Sequence, residues 1–173
     1  MSLLSMILMV SSIVPQLKVG QPMAPLKGEF LTGRAAQLPD AASGKVALVA
    51  LGFTYPSRFP VEAWIGRFRK DFAEKTQVTF YEVPMIGGMA RLGKWFIDSG
   101  MRKGTPQSDQ ENVITVYGNT NAWKQRVGYH DADAAYLLLL DKHGVVRWRQ
   151  QGALTEDAYK ELSVLATSLL DEQ

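Results

Sequence analysis

Lys45-Val46-Ala47-Leu48-Val49-Ala50-Leu51-Gly52-Phe53, followed by Thr54-Tyr55-Pro56-Ser57-Arg58-Phe59, decides how this chain is read. After Lys45 the run is aliphatic and partly β-branched, without polar alternation, as expected of a strand covered on both faces by helices. Val61, Trp64, Ile65, Phe68 and Phe72 then recur at spacings of three and four, an apolar stripe that predicts a helix over residues 57–73. Ser57 suits the N-cap of that helix and Pro60 its first turn. A buried strand entering an amphipathic helix predicts the central unit of an α/β sheet.

Outward from this unit, Thr32-Gly33 separates two short half-apolar runs within residues 28–40, the pattern of a hairpin. Residues 77–83 predict a second strand, and residues 89–101 a helix whose Met89, Leu92, Phe96 and Ile97 face inward. Residues 112–117 predict a third strand, and a short helix from residue 119 carries Trp123 and Val127. Residues 136–140 and 145–149 predict a hairpin across Asp141-Lys142-His143-Gly144. The last helix starts at an N-cap Thr155, with Glu156 and Asp157 in its first turn, and buries Ala158, Leu162, Leu165 and Leu169. The order is hairpin, then β-α-β-α-β-α, then hairpin and helix. It predicts an α/β fold: a central mixed sheet, mostly parallel, with helices on both faces and an extra N-terminal hairpin.

At 173 residues, 46% of them hydrophobic and 21% charged, the chain has the size and composition of about one domain. It has no cysteine, which excludes disulfides, thiolate nucleophiles, Cys-ligated zinc and iron-sulfur clusters. Two histidines, His130 and His143, leave little room for imidazole metal sites or histidine acid-base chemistry. Nineteen basic and seventeen acidic side chains give a net charge of +2, too balanced for a nucleic-acid footprint, and no cofactor is implied. Residues 3–14 lack charge and are too short to span a bilayer. Residues 1–15 are therefore read as an apolar N-terminal segment, open between signal remnant, added leader and docked element, and residues 16–173 as the domain. The expected location is exported or membrane-associated, periplasmic in a bacterium, with cytoplasm or organelle matrix as the alternative.

The element order resembles the thioredoxin-like fold in its peroxiredoxin and thiol-disulfide-oxidoreductase variants. The pieces that carry the likeness are residues 27–33, residues 44–49 leading to Gly52-Phe53-Thr54-Tyr55-Pro56, and residues 138–144. That resemblance implies a redox Cys-x-x-Cys where the central strand enters the first helix, and a cis-proline before the strand at 136–140. Here the first place holds residues 54–59 and the second His130-Asp131-Ala132-Asp133-Ala134-Ala135, with neither cysteines nor proline. Thiol redox and peroxidase activity are excluded and no enzyme activity is expected. Within this superfamily, Leu140-Asp141-Lys142-His143-Gly144-Val145-Val146-Arg147-Trp148, with Gly152 and Glu156 beyond it, resembles the signature of the mitochondrial ATP synthase assembly factor ten family. Gly128-Tyr129 and residues 78–83 sit where that family has comparable segments. The resemblance implies a cysteine-free assembly factor or chaperone that binds a protein client, with a membrane-embedded subunit among the candidates.

Arg147 and Trp148 are candidate client contacts, the alternative being Trp148 packed beneath a helix with Arg147 solvated. Tyr55, Ser57 and Arg58 are candidate binding residues where a helix N-terminus can hold an anion or small molecule, the alternative being a simple cap. His130, Asp131 and Asp133 read as an exposed polar turn ahead of a metal site, and nothing resembles a nucleophile elbow. Arg67, Arg69, Lys70, Arg91, Lys94, Arg102 and Lys103 give two helices basic outer faces, either simply solvated or facing anionic lipid.

Overall fold

The computed structural model describes residues 14–118 and 120–172, leaving aside the side chains of Met89 and Arg91; residues 1–13 lie outside the described residues. β1 (Leu26–Phe30) and β2 (Ala35–Leu38) form the N-terminal hairpin. β3 (Val46–Gly52), α1 (Arg58–Asp71) and β4 (Val78–Ile86) form the central unit, followed by α2 (Lys94–Gly104) and β5 (Ile114–Tyr117). α3 (Thr120–Val127), β6 (Tyr136–Leu140), β7 (Val146–Gln151) and α4 (Glu156–Asp171) complete the chain. The seven strands make one sheet in the order β2-β1-β5-β4-β3-β6-β7.

Each face of the sheet carries its own core, and the period-2 alternation of strands divides the side chains between them. Ala47, Val49 and Leu51 of β3, with Tyr136, Leu138 and Leu140 of β6, pack with Trp123 and Val127 of α3. Val46, Leu48 and Ala50, with Leu137 and Leu139, pack against Trp64, Ile65 and Phe68 of α1 and Leu162, Ala166 and Leu169 of α4. The unbroken aliphatic runs of β3 and β6 thus reflect burial on both faces. Thr155 caps α4, its hydroxyl accepting from the Ala158 amide, as its sequence suggests.

Two expectations need correction. Only β3, β4 and β5 are parallel neighbours; β1 pairs antiparallel with β5, and β6 antiparallel with β3. The sheet is mixed but not mostly parallel, because the eight-residue α3 does not return the chain as a parallel crossover. The segment after β4 also differs from the helix predicted there. It begins as a 3-10 turn, Gly88–Gly93, and only then becomes α2. Leu92 and Phe96, expected inside, are 76% and 77% exposed, while Asp98 is buried. No helix among the described residues is long and apolar enough to cross a membrane.

Candidate functional site

The link from β3 to α1 is closed by two hydroxyls. Ser57 is fully buried and Thr54 precedes it by three residues. The Ser57 hydroxyl donates to the Thr54 carbonyl at 2.7 Å and accepts from the Thr54 amide at 3.1 Å. The Ser57 amide in turn donates to the Thr54 Oγ1 at 3.2 Å. Thr54 therefore satisfies the amide of the N-cap residue, and Ser57, expected as the side-chain cap, secures the turn instead. Gly52 is required beside it, since a Cβ there would meet the Ser57 Oγ at 2.6 Å.

Thr54 also joins this turn to the loop before β6. Its hydroxyl lies 2.9 Å from the Ala132 carbonyl and 3.0 Å from the Asp133 carboxylate, and its single proton serves one of them at a time. Asp131 accepts from the Asp133 amide at 3.0 Å, so both carboxylates of the His130–Asp133 turn are engaged within the protein. The Tyr136 hydroxyl accepts from the His130 and Asp131 amides and donates to the Asp131 carbonyl. Phe53, Tyr129 and Tyr136 pack ring on ring behind the turn, with centroids 5.2–5.7 Å apart. The β3–α1 turn and the loop before β6 are thus joined through the Thr54 hydroxyl.

Outside this frame stands an exposed aromatic and basic patch. Tyr55 is 72% exposed and Phe59 57%. The Arg58 guanidinium lies 4.8 Å from the centroid of each ring and donates to the Tyr55 hydroxyl at 2.8 Å. Of the predicted residues here, Tyr55 and Arg58 form one surface and Ser57 lies beneath it. Phe59 belongs with them; its place at the edge of the α1 stripe could have marked it.

Arg147 and Trp148 sit elsewhere and do different work. β7 bulges opposite the Leu139/Leu140 step, so that Val146 enters the α3-side core while Trp148 packs on the α1 side, edge-on to Trp64 at 6.0 Å. Arg147 clasps the end of α4 through a bidentate pair with Glu172, at 2.8 and 3.2 Å, and bonds Asp141 at 3.2 Å. Asp141 accepts from the His143 and Val145 amides; its burial opposes ionisation, but these bonds and Arg147 outweigh it and lower its pKa. Lys142 adds bonds to the Leu170 and Glu172 carbonyls. The Asp-Lys-His-Gly-Val-Val-Arg-Trp block therefore fastens the last helix to the sheet. Arg147→Ala is expected to cost about 1 kcal/mol in urea unfolding and to speed amide exchange in the last turn of α4; unchanged exchange would contradict the clasp.

The family model of the ATP10 protein matches residues 14–169. The chain belongs to the ATP10 protein family. No curated protein sequence matches this ATP10-family chain. Among solved structures it is similar to BsSco, a member of the Sco family of cytochrome c oxidase assembly proteins, at 16% identity and a TM-score of 0.63, with 91% of this chain and 98% of that chain covered. It is also similar to a protein described as the thiol:disulfide interchange protein DsbE from Chlorobium tepidum, at 16% identity and a TM-score of 0.61, covering 87% and 99%. A thiol:disulfide interchange protein from Bacteroides sp. gives 18% identity and a TM-score of 0.59, covering 87% and 91%. At these identities the likeness shows the thioredoxin-like fold. The chain has no cysteine, and the hydroxyls of Thr54 and Ser57 in the β3–α1 link neither form disulfides nor ionise as thiols do.

Proposed function

We propose that this ATP10-family protein is a redox-inactive assembly factor for ATP synthase, which binds a protein client through the surface around Tyr55, Arg58 and Phe59. The family membership supports the assembly role. The observation that carries the binding mode is the hydroxyl-locked Thr54–Ser57 turn, which keeps the architecture of a substrate-presenting site after removal of its chemistry. Arg58 held between two exposed rings offers the aromatic and arginine combination that dominates protein interfaces, with little side-chain entropy left to lose on binding. Arg147 and Trp148 are assigned to stabilising the domain that presents this surface.

Deletion of the gene in its native host, followed by measurement of assembled ATP synthase in membranes, tests the role. Assembly should fall and be restored by the wild-type chain. The exposed-surface triple variant Tyr55→Ala, Arg58→Ala, Phe59→Ala should fold and fail to restore it. Normal assembly in the deletion strain would sink the assembly reading, and full rescue by the triple variant would sink the proposed surface.

A further inference from the structure

α2 is amphipathic in the wrong sense for a helix lying on a sheet. Its inward side is polar: Lys94 bonds Asp98 at 2.6 Å and reaches Glu29 of β1 at 3.1 Å, and the Tyr117 hydroxyl of β5 donates to Asp98 at 2.6 Å. Ile97 and Met101 are half-buried, but the larger apolar side chains of α2 and the turn before it point away. Leu92, Trp95 and Phe96 are 76%, 78% and 77% exposed, and together they are three of the seven exposed large hydrophobic residues among those described. Surface helices of globular domains place such residues inward, so this face is built for a partner.

The charge beside it says which kind. Residues 88–104 contain four basic side chains and one acidic one, a net +3 in a chain whose total is +2. The single acid, Asp98, is buried against Lys94 and Tyr117, while Arg102 and Lys103 are exposed and have no ion pair among the described residues. Following Trp95 and Phe96 by seven residues, Arg102 and Lys103 continue the same outward stripe about two turns on. On α1 most of the charge is paired: Arg67 with Glu156 and Asp71, and Arg69 with Asp109; Lys70 has no ion pair among the described residues, but the exposed large hydrophobic residue of that helix, Phe59, lies eleven residues away. Tryptophan, phenylalanine and leucine beside unpaired cations, on a helix too short to span, match the anionic headgroup region of a bilayer.

We propose that residues 88–104 dock this protein on an anionic membrane surface, with Leu92, Trp95 and Phe96 entering the headgroup layer and Arg102 and Lys103 contacting lipid phosphates. The inference stands on this helix and goes beyond the client-binding role. Trp95 reports it directly, since Trp64 and Trp123 are buried and Trp148 is packed against α1. The full chain is mixed with vesicles of phosphatidylcholine alone or with phosphatidylglycerol, with no client present. Tryptophan emission should shift to the blue with the anionic vesicles, an effect weakened by salt and absent in Trp95→Phe, which should still co-sediment. Leu92→Ser with Phe96→Ser should lower partitioning by about tenfold or more, and Arg102→Glu with Lys103→Glu should remove the preference for anionic lipid. An unshifted emission with every vesicle, as expected if this face serves a protein, overturns the proposal. So does partitioning that the Leu92 and Phe96 substitutions leave unchanged, which would place membrane binding elsewhere in the chain.

Discussion

Glu82→Gln is expected to stabilise the protein by about 3 kcal/mol at pH 8 and to leave it unchanged near pH 4. Glu82 lies in β4, where Tyr81, Val83 and Met85 point into the α3-side core and the glutamate takes the opposite face. Burial pushes its carboxyl up to about 7 from 4.5, helped by nearby Glu62 and Asp109 and opposed by Arg69, whose guanidinium is engaged by Asp109. No side-chain hydrogen bond reaches the Glu82 carboxylate among the described residues. A carboxyl with a raised native pKa binds more protons folded than unfolded. Its penalty therefore appears as pH rises through 4.5 and is complete above about 7. Glutamine keeps the shape and cannot ionise, so the gain should grow over that window. Urea unfolding of both proteins at pH 4 and pH 8 checks it; an equal difference at the two values would show that Glu82 does not titrate in this way.

The second large effect is a coupling at the closed turn. Gly52→Ala places a Cβ 2.6 Å from the Ser57 Oγ, whereas Val61 and the Ser57 Cβ are at ordinary contact distances of 3.5 and 3.6 Å. Ser57 cannot rotate away without losing both bonds to Thr54, so the substitution should cost about 2 kcal/mol. Ser57→Ala alone removes those bonds and should cost about 1 to 2 kcal/mol. In the double variant the clashing atom is gone, and its cost should equal that of Ser57→Ala alone. Additivity of the two single effects within about 0.5 kcal/mol would mean that the Gly52 requirement lies elsewhere.

Several elements were legible because their signals are local. The aliphatic runs of β3 and β6, the α1 stripe, the Asp141–Gly144 turn and the Thr155 cap are written in spacing and residue type, and the structure has each of them. The absence of cysteine, a property of the chain alone, excludes thiol chemistry. Less visible was the outward turn of Leu92 and Phe96. Helical spacing identifies which residues share a face but not what that face meets, and here Glu29 and Tyr117, from the paired strands β1 and β5, recruit the polar side of α2.

The candidate site divides in the same way. Tyr55, Ser57 and Arg58 could be named from their position between a buried strand and a helix, but the division of labour among them could not. The Thr54 hydroxyl accepts from the Ser57 amide and also reaches the loop before β6, a contact across 78 residues of chain. Arg147 became a clasp because a bulge in β7 turns it toward the end of α4. The sequence alone determined that this is an α/β domain with a sheet covered on both faces and without thiol chemistry, because hydrophobic period and missing sulfur atoms are properties of the chain itself. Only the tertiary structure decided which hydroxyl reaches a distant loop, which arginine clasps and which helix face is left bare, because those outcomes depend on which distant backbone and side-chain groups are brought within hydrogen-bonding distance.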